Sequence, residues 1–181
     1  MTRLCVVIVN YNTAGLTRDC VGTLLPQLDP GLDHVVVADN ASSSEDRERL
    51  AAYLDEPVRA GRVSVLYLQQ NRGFSAGNNA GIAACDAGLY LLANSDTLFL
   101  PGSIKRLVEA SAVHPSAGIV SPRLEWPDGT PQVSCFRFHA PPSEALRSAN
   151  TGIITGLLKR YDVPVQPVLE PSNPEWTSFA C

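Results

Sequence analysis

Asp39 and Asp96 each close an apolar, strand-like run, HVVVAD at 34–39 and LYLLANSD at 89–96, and turn or helix-start residues follow both. A carboxylate in that position sits at the carboxyl edge of a parallel sheet, where open α/β folds place their ligand crevice. One such group can hold a ribose or base, and the other a divalent cation on a diphosphate. VNYNT at 9–13, ADNAS at 38–42, NRGFSAGNN at 71–79 and ANSD at 93–96 are all polar stretches behind apolar strands, so they can converge on that edge. A nucleoside diphosphate needs an acceptor for base or ribose, small residues where backbone approaches phosphate, and a cation or dipole for the charge. Asp39 answers the first need, Gly73 to Gly77 the second, and Asp96 with a bound cation the third.

Taken singly, each of these residues has a plainer reading. Asp39 is also what a turn or helix-start aspartate ahead of ASSS looks like, and Asp96 could cap a turn before Pro101. Asn71, Asn78 and Asn79 could be structural amides, and Gly73, Gly77 and Gly81 could permit tight backbone. The joint pattern carries the argument.

The elements that must position these residues alternate through the first 120 residues, which is the signature of βαβ units and a parallel sheet. LCVVIVN (4–10), HVVVAD (34–39), VSVLYL (63–68) and LYLLAN (89–94) read as strands. AGLTRDCVGTLL (14–25) places Leu16, Cys20, Val21, Leu24 and Leu25 on one helical face, with Asn12 or Thr13 as cap. Ser42 with Glu45 has capping-box spacing for a second helix from about residue 43. A third helix begins near Ser75, and Pro101 suits the first position of a fourth. Beyond them, GIVSPRL, the turn WPDGTP and QVSCFRF read as strand, turn and strand, so the sheet gains an antiparallel or mixed part. Residues 143–160 have an amphipathic helical pattern, and the prolines at 164, 167, 171 and 174 predict extended loop over 162–175.

Composition narrows the class. With 181 residues, 45% hydrophobic and 18% charged, the chain reads as one soluble domain with a real core. A net charge of -4 and 14 scattered basic residues argue against nucleic acid as a partner. The longest apolar runs fall far short of the roughly 20 residues of a spanning helix, and the N-terminus does not read as a signal peptide, so a cytoplasmic protein is expected. Cys5, Cys20, Cys85, Cys135 and Cys181 contain no CxxC pair and read as small buried apolar residues. His34, His114 and His139 lack ligand-like spacing.

VVIVNYNTAGLTRDCVGTLL, VVVADNASSS, LQQNRGFSAGNNAGI and LYLLANSDTLFLPGSI, in this order and spacing, resemble the successive motifs of family 2 glycosyltransferases, nearest the rhamnosyltransferase-like branch. The likeness extends weakly through PDGTPQVSCFRF to EWTSFAC. It implies a GT-A fold: an α/β, Rossmann-like three-layer sandwich with a mostly parallel central sheet, here incomplete on the acceptor side. On this view residues 1–181 form a single domain, with 1–121 binding the nucleotide-sugar and 122–181 opening the acceptor-side part. Implied partners are a UDP- or dTDP-sugar donor, a divalent cation (Mg2+ or Mn2+) and a glycan or lipid-linked acceptor. Transfer would invert the anomeric carbon during cell-surface polysaccharide synthesis, at the inner face of the cell membrane.

Carried over by residue, the resemblance places Asn10, Tyr11 and Asn12 around the nucleotide, Asp39 on base or ribose, and Asn71, Gly73, Gly77 and Asn78 near the donor. Asn94, Ser95 and Asp96 match the metal motif often written DxD, with Asn in its first position, so Asp96 alone offers the cation a full charge and is the catalytic and metal residue. Trp176 matches an aromatic near the acceptor site, although a core or interface role fits it equally. The family's general base has no counterpart, since neither Glu170 nor Glu175 has its spacing. A module that binds the nucleotide-sugar without transfer is therefore the alternative. A dinucleotide or nucleotidyltransferase enzyme is disfavoured, because NYNTAG holds one glycine where GxGxxG needs three. An apolar face left by an absent half would also favour a homodimer.

Overall fold

The computed structural model describes residues 2–138, 163–165 and 172–177. Contacts divide the chain into two compact units, Met1–Val120 and Ser121–Cys181. In the first unit strands and helices alternate: β1 (Thr2–Asn10), α1 (Ala14–Leu24), β2 (Asp33–Asp39), α2 (Ser44–Arg59), β3 (Val63–Tyr67), α3 (Phe74–Ala83), β4 (Ala87–Asn94) and α4 (Ser103–Val113). The strands are all parallel, in the order β3-β2-β1-β4. Because β1 pairs with β2 on one side and β4 on the other, chain direction across the sheet reverses at β1, the point where open α/β sheets place a ligand crevice at their carboxyl ends.

The unbroken apolar run of β1 follows from its place. Cys5, Val6, Val7 and Ile8 have no exposed surface, as a strand covered on both faces requires. Leu4, Val6 and Ile8 pack toward Cys20, Val21 and Leu24 of α1, Leu50 and Leu54 of α2, and Ile104 of α4. Cys5 and Val7 turn to the opposite face, with Val36, Ala87 and Ile82 of α3. Helices on both faces of a parallel sheet make three layers. Burial is the larger cause, and the neighbouring Cys85 thiol the lesser, of a Cys5 thiol pushed up to about 12, so Cys5 stays protonated and acts as a small apolar residue. Cys85 and Cys135 are only half-buried free thiols.

Several local expectations change. Leu16 is exposed, since the buried stripe of α1 runs Ala14, Thr17, Cys20, Val21 and Leu24. The cap of α2 is Ser43, whose side chain accepts from the Asp46 N–H, because the Ser42 hydroxyl is engaged elsewhere. Pro101 lies before α4 rather than in it. Leu100 to Ser103 form a turn, closed by Ser103 N–H on the Leu100 carbonyl, and Gly102 takes φ +81°. Proline followed by a positive-φ glycine is the type II pattern.

The antiparallel part does not extend the parallel sheet. It forms a separate sheet in the second unit, β6 (Pro164–Val165), β5 (Cys135–Phe136) and β7 (Trp176–Thr177), in the order β6-β5-β7. GIVSPRL is not a strand. Only Glu125 bridges to Pro131 across the WPDGTP turn, where Gly129 has φ +81°. Pro164 joins a strand instead of a loop, at the sheet edge where its missing donor is harmless. The Phe136 and Trp176 rings stack with centroids 4.4 Å apart, and the Trp176 indole N–H donates to the Arg137 carbonyl, so Trp176 is a packing residue here. The amphipathic segment 143–160, Pro167, Pro171, His139 and Cys181 lie outside the described residues.

Gly77 and Gly81 let α3 approach the sheet. A Cβ on Gly81 would fall 2.3 Å from Val7 Cγ1, and one on Gly77 2.9 Å from Val9 Cγ1. Both valines are β-branched and stiff. Gly81→Ala is therefore expected to destabilise the domain by roughly 1–3 kcal/mol through overpacking, read from the midpoint of urea denaturation. Gly15→Ala, with open space at its Cβ position, leaves that midpoint unchanged or raised.

Candidate active site

The carboxyl ends of β1, β2 and β4 are tied together by one buried side chain. Asn10, the last residue of β1, has no exposed surface. Its Nδ2 lies 3.0 Å from Asp39 Oδ1, 3.1 Å from Ser42 Oγ and 2.9 Å from Asp46 Oδ2. Its Oδ1 accepts from the hydroxyls of Thr13, at 3.1 Å, and Thr17, at 2.8 Å. Every polar atom of the amide is thus satisfied, as burial demands. Thr13 Oγ1 also lies 3.0 Å from Ser95 Oγ. With one hydroxyl hydrogen committed to Asn10, Thr13 accepts from Ser95, and the chain of bonds runs from β2 through β1 to the residue before Asp96.

Two loops interlock above this hub. The Asn12 N–H donates to Ser42 Oγ, and the Ser43 N–H donates to Asn12 Oδ1. The paired loops hold Asn12 at φ +56° and Ala41 at φ +62°, positions that L residues rarely adopt. Neither is glycine, so the surrounding bonds maintain the strain, which is common at functional sites. Asp46 adds a clamp from α2: its Oδ1 accepts from the Ala14 N–H at 2.9 Å and caps α1 from a neighbouring helix. Thr13, the residue at the cap position, makes no side-chain cap bond.

Asp96 stands where the sequence places it. It follows β4 in a turn closed by Thr97 N–H on the Asn94 carbonyl. The segment is anchored beyond it as well, because Phe99 is buried, its N–H donates to Thr23 Oγ1, and its carbonyl accepts from Gln27 Nε2. Asp96 itself is exposed, and no described residue bonds its carboxylate. Among the described residues no cluster of three or more His, Cys, Asp or Glu could hold a metal alone. This donor set fits a cation that takes one carboxylate from protein and its other oxygens from a diphosphate, as Mg2+ commonly does.

The other expected residues divide. Tyr11 is half exposed beside the hub and offers a free ring face. Gly73 has φ +89° with open space around it, so its backbone is approachable. Gly77 faces Val9, which gives it a packing role against the sheet. Asn71 Oδ1 accepts from the Gly73 N–H and from Asn40 Nδ2, which shapes the loop before α3. Asn78 is buried and donates to the Phe74 carbonyl. Asn94 pairs in β4 with Val9 and closes the turn through its carbonyl. The Asp39 side chain has no exposed surface; Oδ2 accepts from the Ser42 N–H and from Arg47 Nε at 2.6 Å. In this geometry the turn reading of Asp39 holds. An open cavity of about 320 Å3, lined by Leu68, Gln69, Gln70, Arg72, Ala76 and Ala80, lies along β3 and α3, apart from Asp96.

Sequence reasoning missed Thr17, Asp46 and Arg47, and read Thr13 and Ser42 only as helix-start residues within the converging polar stretches. A signal was available for one pair, since Thr13 and Thr17 stand four residues apart at the start of a helical pattern.

The parallel sheet, the switch at β1 and an exposed carboxylate after β4 define a GT-A fold. Solved structures with this fold align over most of the chain at identities that bear on fold alone. S. aureus TarS 1-349 matches with a TM-score of 0.55 and 15% identity over 76% of this chain and 42% of its own. A Pyrobaculum calidifontis mannosyltransferase, PcManGT, solved with GDP-Man and Mn2+, matches with a TM-score of 0.54 and 19% identity over 80% of this chain and 38% of its own. The family model for Glycosyl transferase family 2 matches residues 5–151, and the chain belongs to this family. Among curated relatives, the succinoglycan biosynthesis protein ExoU of Rhizobium meliloti (strain 1021) is 30% identical over 59% of this chain and 30% of its own length. The uncharacterized glycosyltransferase YwdF of Bacillus subtilis (strain 168) is 27% identical over 66% of this chain and 43% of its own. The chain thus spans less than half the length of either relative.

If Asn10 is the hub, its loss strands several partners at once. Asn10→Leu is expected to cost about 3 kcal/mol, because two carboxylates and three hydroxyls lose a buried partner. Asp46→Ala costs about 1–2 kcal/mol as a lost cap. The double variant in urea denaturation falls short of the sum, since both belong to one network.

Proposed function

We propose that the chain is the donor-binding part of an inverting glycosyltransferase that moves a sugar from a UDP- or dTDP-sugar to a glycan or lipid-linked acceptor in cell-surface polysaccharide synthesis. The rhamnosyltransferase-like branch fits its motifs best. A lipid-linked acceptor would place the protein at the inner face of the cell membrane; among the described residues no helix is long and apolar enough to cross one. The observation that supports the reading is the bond chain from Asp39 through Asn10 and Thr13 to Ser95, which links the carboxyl ends of β2, β1 and β4. Tyr11 would give the base a stacking face, and Gly73 an open backbone approach.

Asp96 would hold the Mg2+ or Mn2+, which neutralises charge on the departing diphosphate. The chain's own part is positional. Ser95 and Phe99, anchored on α1 and its flanking residues through Thr13, Thr23 and Gln27, would hold the Asp96 turn still while the acceptor hydroxyl attacks from the opposite side.

A second reading, binding without transfer, has one observation in its favour. At this edge Asp39 and Asp46 have their oxygens engaged by protein donors, and the cation claims Asp96, so none of these three carboxylates is left to accept the acceptor's proton. Turnover of donor in the presence of acceptor separates the two readings.

A thermal-shift series of UDP-, dTDP- and GDP-sugars with and without Mn2+ tests the donor site. A ligand at a hundred times its Kd adds about 2.7 kcal/mol, which raises Tm by roughly 5–10 °C for a domain of this size. Asp96→Ala is expected to abolish the Mn2+-dependent part of that rise. A flat response across the series would remove the proposal.

A further inference from the structure

Gly77 and Gly81 let α3 press against β1, and the same close approach brings two thiols together. Cys5, Val7 and Val9 share one face of β1, because alternate residues of a strand point the same way. Gly77 lies against Val9, and Gly81 against Val7. Four residues of helix advance about 6 Å and two residues of strand about 6.6 Å, so the next step of this antiparallel crossing sets Cys85 against Cys5. The chain leaves α3 in a tight last turn, where the Cys85 N–H donates to the Ile82 carbonyl. Cys85 packs with Ile82 on the cluster of Cys5, Val7, Val36 and Ala87, and its thiol is a hydrogen-bonding neighbour of the Cys5 thiol. Its Sγ also lies 4.0 Å from Thr2 Oγ1. Both cysteines are free thiols, Cys5 fully buried and Cys85 half-buried. Cys20 packs on the opposite face of the sheet, with Leu4, Val6 and Ile8, so it does not compete for either sulfur.

We infer that Cys5 and Cys85 form a reactive dithiol site that takes a small-molecule disulfide such as oxidised glutathione as its oxidant and closes to a disulfide, tying β1 to the end of α3. Cys85 attacks first, because only its thiol reaches solvent. As a thiolate it bonds to one sulfur of the reagent, whose S–S bond breaks, and one glutathione leaves with the proton that Cys85 gave up. The Cys5 thiol then loses its proton, attacks Cys85 Sγ and expels the second glutathione. Two protein thiols thus give up two electrons and two protons, and one oxidised glutathione becomes two reduced molecules. Burial keeps Cys5 protonated and away from the reagent itself. Its contact with Cys85 compensates, since attack within a preformed pair has a high effective concentration. The bond falls in the half of β1 away from Asn10, so it stiffens the scaffold and leaves the carboxyl edge untouched.

Incubation of the native whole chain with oxidised glutathione at mildly alkaline pH, followed by alkylation and tryptic mapping, tests this. The peptides 4–18 and 73–105, each holding one cysteine, are expected to be joined by a reducible bond. Thiols titrated after denaturation should fall from five to three. The urea midpoint of the oxidised protein should rise by roughly 1–2 M, because the bond constrains a long loop of the unfolded chain, and reduction should reverse the rise. Cys5→Ala should trap one glutathione on peptide 73–105, and Cys85→Ser should leave peptide 4–18 unmodified. Glutathione retained on Cys85 of the wild type without a crosslink would overturn the inference. So would a crosslink formed only in urea, an oxidised protein no harder to unfold than the reduced one, or modification of Cys5 in Cys85→Ser as fast as in the wild type. If Cys5→Ala does not fold, the wild-type map and Cys85→Ser, at a half-exposed position, decide the matter.

Discussion

A buried amide at the end of the central strand governs the rest. Asn10 sits where β1 stops, with β2 and β4 on either side, and its environment offers carboxylates to its donor and hydroxyls to its acceptor. An amide buried without such partners would cost several kcal/mol, so its neighbours are constrained to the positions that satisfy it. That constraint fixes the first turn of α1 through Thr13 and Thr17, the first turn of α2 through Asp46, and the residue before Asp96 through Ser95. Site geometry and local stability are therefore one network.

Around that hub, apolar packing and polar order divide the work. The sheet and helices are held by the burial of β-branched residues on both faces of β1, and α3 reaches the sheet because Gly77 and Gly81 have no side chain to interfere. These contacts are non-directional and would tolerate small shifts. Hydrogen bonds at the carboxyl edge would not, since their strength falls steeply with misalignment. The strained backbone at Asn12 and Ala41 shows how firmly the two loops are stitched.

Charge at this edge is arranged asymmetrically. On the β2 side, Arg47 pairs with Asp39 and closes that carboxylate off. Past β4, Asp96 remains exposed and unbonded by the described residues. This edge therefore carries a cation at one end and a bare carboxylate at the other.

The strands and the glycosyltransferase resemblance were readable because each rests on local pattern. LCVVIV is apolar without alternation, which only a doubly covered strand explains, and Asp39 and Asp96 close their runs in plain view. What failed was also local. Leu16 and the Ser42 with Glu45 pair obeyed good rules that tertiary partners overrode. That Gly77 lets a helix approach the sheet depended on Val9, far away in sequence and adjacent in space. Asp39 was visible, but whether it faces a ligand or an arginine depended on how α2 lies over the sheet edge. Residue order determined the elements and the chemistry they could carry, through periodicity and strand-end polarity; only the folded arrangement decided which carboxylate is enclosed and which stays open, because that turns on long-range partners no spacing rule encodes.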